Sequence, residues 1–175
     1  VSAAAAADRI VNVVVSDGTD SSAVHTSTIS VTPVNDAPVV DLNGVGLGND
    51  ATASFTEQTP VLISPAATIT DVDSANLTSL TATLTNRPDG NGVESLSLNA
   101  TALAAASGLT VSYNASTGVL SITGSASKAT YQTILDGILY NNTSDAPSTA
   151  SLFSTHDAGG GSLCVDLRDS PVTQT

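Results

Sequence analysis

Val31-Thr32-Pro33-Val34-Asn35-Asp36-Ala37-Pro38 decides how the rest of the chain is read. It follows an alternating stretch, Val24 to Thr32, and precedes a second β-branched one, Pro38 to Leu42. Pro33 and Pro38 carry no amide hydrogen to give to a ladder, so one continuous strand is not expected to run through it. Between the prolines stand Asn35 and Asp36, two hard oxygen donors on a stiff segment. Ca²⁺ takes several oxygen ligands and can draw them from two bodies, so Asn35 and Asp36 are candidate ligands at a joint between β modules. The competing reading is a polar linker that needs no ion.

Working outward, Arg9 to Ser16 is β-branched and runs into Asp17-Gly18, a strand entering a turn. Val24 to Thr32 places Ile29 and Val31 on one face against Thr28, Ser30 and Thr32, which predicts a half-buried strand and closes a hairpin. Beyond the joint, Ala51 to Glu57 and Val61 to Ile69 read as strands. Leu77 to Thr85 alternates most cleanly, with Leu80, Ala82 and Leu84 on one face. Val93 to Leu98, Leu109 to Tyr113, Val119 to Thr123 and Ile138 to Asn142 read as further strands. Thr101 to Ser107 leaves room for one helical turn. Ser127 caps a helix predicted over 128–135 that ends near Gly137. Many short strands separated by turn signals point to an all-β sandwich with one short helix.

Asp71-Val-Asp-Ser-Ala-Asn76 is a compact acidic turn. One Asp suffices to stabilise a turn through its own backbone. Two carboxylates with Asn76 beside them exceed that need, so Asp71, Asp73 and Asn76 are candidate Ca²⁺ ligands.

Composition narrows the classes. Aromatics are 3% of the 175 residues and Trp is absent, so the core must be built from Val, Leu, Ile and Ala, which suits a thin sandwich better than a cofactor pocket. Four Lys and Arg face 16 Asp and Glu, a net charge of −12. Nucleic acid and anionic membranes require basic groups, so neither is an expected partner; cations and simple solubility both suit the sign. A single Cys, Cys164, rules out an internal disulfide framework. With Val1 first and no Met, the chain is expected to be an excerpt of a longer one. Ala3 to Ala7 lacks a basic flank and is far too short for a signal peptide or membrane span, so any secretion signal is expected elsewhere.

At an offset of 140, Val13 falls on Phe153, Val15-Ser-Asp17-Gly18 on Thr155-His-Asp157-Ala158, and Ser30-Val31 on Ser170-Pro171. A unit of about that length follows. Residues 1–38 are then the closing hairpin and linker of a preceding unit, or completing strands of this domain. Residues 39–150 form the main sandwich, and 151–175 form a degraded closing segment expected to be partly disordered.

Val15-Ser-Asp17-Gly18, Val34-Asn-Asp-Ala-Pro38, Phe55-Thr-Glu57, Asp71-Val-Asp73 with Asn76, and Tyr131 through Asn142 together resemble a bacterial cadherin-like tandem repeat of large secreted adhesins. The resemblance covers residues 8–160. It implies a Greek-key-like (cadherin- or immunoglobulin-like) β-sandwich acting in adhesion or as a spacer, extracellular or on the cell surface, with Ca²⁺ stiffening the joints. Its implied partners are neighbouring repeats and a host or matrix surface ligand. By the same resemblance, Asn35 and Asp36 are linker ligands and Asp71 and Asp73 the Asp-x-Asp pair of the next module. Asp17 and Asp157 are the Asp after a strand, and Glu57 is the strand-borne glutamate. Pro33 stands where the family often has an acid, and the linker's second Asn is missing, which makes fewer ions the expectation.

Other chemistry is poorly served. His25, His156 and Cys164 lack zinc-ligand spacing. No Gly-x-Ser-x-Gly and no phosphate-binding glycine loop is present, so no enzyme is expected. Gly46-Leu-Gly-Asn-Asp50 is one isolated turn of a calcium-binding nonapeptide pattern and reads as a loop. The alternative function is a carbohydrate- or ligand-binding sandwich of a secreted enzyme. Such modules stack sugars on exposed aromatics, for which only Phe55, Tyr113, Tyr131, Tyr140 and Phe153 are available.

Overall fold

The computed structural model describes residues 8–32 and 34–149, and the backbone of 162–164 and 166–169. Two compact units are present: Val1–Pro38 with Asp71–Asp73, and Val39–Thr70 with Ser74–Thr175.

The first unit holds β1 (Arg9–Val13) and β2 (His25–Ile29), paired antiparallel from Arg9↔Ile29 to Val13↔His25. The turn between them is made by Asp17, whose Oδ1 accepts from the amides of Thr19 and Asp20, both at 2.9 Å. Gly18 supplies the left-handed backbone there, at φ 96°. Every residue of both strands is exposed, which corrects the half-buried strand expected from Val24 to Thr32. Alternation shows that a strand has two kinds of face; it does not supply a second layer to cover either.

The second unit runs β3 (Val39–Asp41), β4 (Thr52–Phe55), β5 (Val61–Leu62), β6 (Thr68–Thr70), β7 (Asn76–Thr83) and β8 (Glu94–Leu98). Then come α1 (Ala100–Ala105), β9 (Thr110–Asn114), β10 (Val119–Ser127), α2 (Lys128–Asp136) and β11 (Ile138–Asn142). Of the last stretch, the backbone forms β12 (Ser162–Cys164) and β13 (Asp166–Asp169). One sheet has the order β12-β7-β10-β9 and another β5-β11-β8; β3 pairs with β6, and β13 lies parallel to β4. Strand outweighs helix, 41% against 11%, so the chain is mostly β with several antiparallel sheets, consistent with a β-sandwich.

Both larger sheets feed one core. Ala82, Leu120 and Ile122 come from β7 and β10, Leu96, Ile138 and Tyr140 from β8 and β11. Leu80, Ala82 and Leu84 turn inward on the face that alternation assigned to them, Leu80 only partly. Phe55 meets Tyr140 edge-on at 5.1 Å between centroids. The strand expected over Val61 to Ile69 is two strands. Pro65 has no amide for a ladder, and Ser64 is buried with its hydroxyl donating to the Leu42 carbonyl instead. At Gly118, φ is 73° and a Cβ would run into the Leu84 carbonyl, so the β9–β10 hairpin turn needs glycine.

The helix expected over 128–135 forms, with a second, α1, where one helical turn was read. Ser127 Oγ accepts from the Thr130 amide at 3.1 Å, and Asn99 Oδ1 caps α1 through the Ala102 amide at 2.8 Å. Tyr131, Ile134 and Leu135 are the buried stripe of α2, at the i, i+3, i+4 spacing of one helical face. Tyr131 also donates to the Gly124 carbonyl at 2.7 Å, inside the break in β7–β10 pairing between Thr123 and Ala126. Ser127→Ala is expected to destabilise the chain by about 1 kcal/mol, and Ser127→Asp to restore most of it. Calorimetry on the pair checks this; equal melting of Ser127→Ala and the parent would show that the cap contributes nothing.

Candidate metal centre at the acidic joint

Residues 34–38 are coil between β2 and β3, as the two prolines predict. The segment 71–73 clusters with this coil in the first unit. Asp71 Oδ1 accepts from the Asp73 amide at 2.9 Å, the closure of an Asx turn. Asp73 Oδ2 accepts from the Asp36 amide at 2.5 Å across 37 residues of chain. Asn35 Nδ2 donates to the Asp36 carbonyl at 2.9 Å. Asp73 Oδ1 is buried and has no hydrogen-bond partner among the described residues. A buried carboxylate oxygen left unpaired is costly, of the order of 1–3 kcal/mol or more, unless something else satisfies it.

The backbone of the Asn35-Asp36 linker is therefore brought to the Asp71–Asp73 turn. Among the described residues, no three or more His, Cys, Asp or Glu side chains gather as a metal-holding group. The donor chemistry fits Ca²⁺ in kind, since carboxylate and amide oxygens are its preferred ligands. It fits less well in number: one Asp73 oxygen is held by the Asp36 amide and one Asp71 oxygen by the Asp73 amide. Six to eight ligands, the usual Ca²⁺ complement, would need backbone carbonyls or water besides these side chains.

The remaining candidates are described each in its own element. Asn76 opens β7 in the second unit and is exposed. Asp17 sits in the hairpin turn, where the amides of Asp20 and then Thr19 hold its carboxyl below the ordinary value. That position is a stabilised turn. Glu57 is exposed in the Thr56–Thr59 turn, its Oε1 3.4 Å from Gln58 Nε2. Asp157 lies outside the described residues, as do His156, Phe153 and the side chain of Cys164. His25 is exposed on β2. Phe55, Tyr131 and Tyr140 are buried and Tyr113 is half-buried, so no described aromatic offers an open sugar-stacking face.

A second polar cluster was missed. Glu94, 1% exposed, accepts from the Tyr140 hydroxyl at Oε2 (2.8 Å) and from the Asp89 amide at Oε1 (2.9 Å). Asp89 in turn accepts from Asn142 Nδ2 at 2.7 Å and from the Ser148 amide at 2.8 Å. Burial first, then the bond to Glu94, pushes the Tyr140 phenol well above its ordinary value. All four carboxylate oxygens of Glu94 and Asp89 are used, so the arrangement reads as a clasp on residues 142–148. The sequence held a signal for it: Glu94 shares the apolar face of Leu96 and Leu98, and Asn142 that of Ile138 and Tyr140. A polar residue at a core register must carry its partner with it.

Among the described residues no helix is long and apolar enough to cross a membrane. No protein-family model, no curated protein and no solved structure matches this chain.

Proposed function

We propose that the chain is a calcium-stiffened structural or adhesive repeat module of a large extracellular bacterial protein, built as a Greek-key-like, cadherin-like sandwich. It is read as a binding and spacing element and not as an enzyme, with neighbouring repeats and a host or matrix ligand as partners. The observation that supports this reading is the joint itself. A backbone amide of the linker meets the Asp-x-Asp turn, and Asp73 Oδ1 is left buried without a partner among the described residues. A cation there would satisfy that oxygen and fasten two chain segments to each other. The burial of Phe55, Tyr131 and Tyr140 disfavours the carbohydrate-binding alternative.

Calorimetric melting in chelator and then in millimolar Ca²⁺ tests the proposal. Extracellular calcium modules bind at roughly 0.1–1 mM, so 10 mM ion is expected to add about 1.4–2.7 kcal/mol by mass action. For a chain of this size that is a rise of roughly 3–10 °C. Asp71→Asn/Asp73→Asn should remove the response. An unchanged melting temperature in the parent chain sinks the calcium reading and leaves a spacer whose acids serve solubility.

A further inference from the structure

Both faces of the β1–β2 hairpin carry large aliphatics in contact with solvent. Cross-strand register puts Val11, Val13 and Ile29 on one face, each about half exposed. Ile10 lies on the other at 68%, and just past the end of the ladder Val14 and Val24 are 48% and 60% exposed. A lone two-stranded ribbon is marginal in water, and this one has no charged residue between Ile10 and Val15 to favour exposure. The 140-residue offset read from the sequence pairs it with a second stretch of the chain. The offset of 140 lays β2, His25–Ile29, on residues 165–169. There β13, Asp166–Asp169, pairs parallel with β4 from Asp166↔Thr52 to Asp169↔Phe55. Within this chain that edge of β4 is filled by β13.

We propose that the β1–β2 hairpin is a docking element for a second copy of this β-sandwich. In it, β2 lies parallel to that copy's β4-type strand, as β13 does here, and an aliphatic face turns toward that copy's core. The inference rests on the tandem-repeat reading and adds the specific surface and pairing by which one unit grips the one before it. The partner is thus a protein surface of aliphatic and backbone hydrogen-bonding character, not a sugar, lipid or ion.

The test is a full-length chimera in which residues 150–175 are replaced by a second copy of residues 10–35, the equivalent segment at that offset. Hydrogen exchange is followed in the same molecule for the original hairpin and for the graft, in chelator, so the result is independent of the calcium reading. The grafted strand amides are expected to exchange about 100-fold or more slowly than the same residues at the N-terminus, because they join a packed sheet. Val11→Lys and Val13→Lys made in the graft alone should abolish that protection. A graft that exchanges as quickly as the original hairpin overturns the proposal. So does a chimera that fails to fold or melts below the chain cut after residue 149. A calcium-insensitive parent with a protected graft would remove the calcium reading and keep the docking surface.

Discussion

Glu94→Ala is expected to destabilise the protein by about 3–5 kcal/mol, a large share of the stability of an ordinary domain. Two donors would lose their acceptor in a buried setting, the Tyr140 hydroxyl and the Asp89 amide, and the side chain would leave a void. Each unsatisfied buried group costs roughly 1–3 kcal/mol. Glu94→Gln keeps the shape and one acceptor oxygen, so its expected cost is nearer 1–2 kcal/mol. Because Asp89 also holds the Ser148 amide, exchange at residues 144–148 should quicken in Glu94→Ala before global unfolding does. Denaturant melts of the two variants decide it. A loss below 1 kcal/mol in Glu94→Ala would mean that the clasp contributes no more than a surface contact.

The same cluster sets an alkaline limit. The folded-state value of Tyr140 is raised above its unfolded value of 10.0, so the folded chain holds that proton more tightly. Its contribution is complete below pH 10 and declines as pH climbs from there toward the folded value. Tyr131 is also raised by burial and acts in the same direction. Tyr140→Phe should therefore be less stable than the parent at neutral pH yet lose less on going from pH 9 to 11. Parallel curves for the two chains would refute the assignment.

Ile134→Ala is the second large loss, about 3–4 kcal/mol, or roughly 6–15 °C in melting temperature. Ile134 is completely buried on the inward stripe of α2, between Tyr131 and Leu135. Its neighbours in the core are chiefly branched aliphatics with well-defined rotamers, and the chain has no Met to flow into the gap. The cavity therefore stays open and its walls lose their contacts. Ile134→Val should cost only about 1 kcal/mol. Ile10→Ala on the exposed hairpin should stay within about 0.5 kcal/mol in the isolated chain. Chemical denaturation of the three variants measures the ordering; equal effects at positions 10 and 134 would contradict the placement of the core.

Local features were largely legible. Ser127 and Gly137 bracket α2 because a cap is a contact between a side chain and an amide three residues on. The inward set of β7 and the coil at the proline joint follow from period-two alternation and from a missing amide hydrogen. The break at Pro65 is readable by the same rule, although apolar residues, Val61 to Ile63 before it and Ala66 and Ala67 after it, mask it in the pattern. Glu94 was readable as a polar residue on an apolar face, but its partners were not. Asn142 and Asp89 lie 53 residues apart, and only the pairing of β8 with β11 brings their strands and turns to one place.

The acidic joint divides in the same way. Sequence alone determined that Asn35, Asp36, Asp71 and Asp73 are oxygen donors held in stiff or turn-forming segments, since residue type and neighbouring prolines suffice for that. It also determined that the chain is mostly β, because strand periodicity and turn residues are properties of a few adjacent positions. Tertiary structure decided that the Asp36 amide meets Asp73 and that the Asp17 carboxylate closes its own hairpin turn. It decided, too, that the hairpin's aliphatics face water while those of α2 are sealed. The reason is physical: periodicity states that a face is apolar, and only the path of the whole chain determines what, if anything, lies against it.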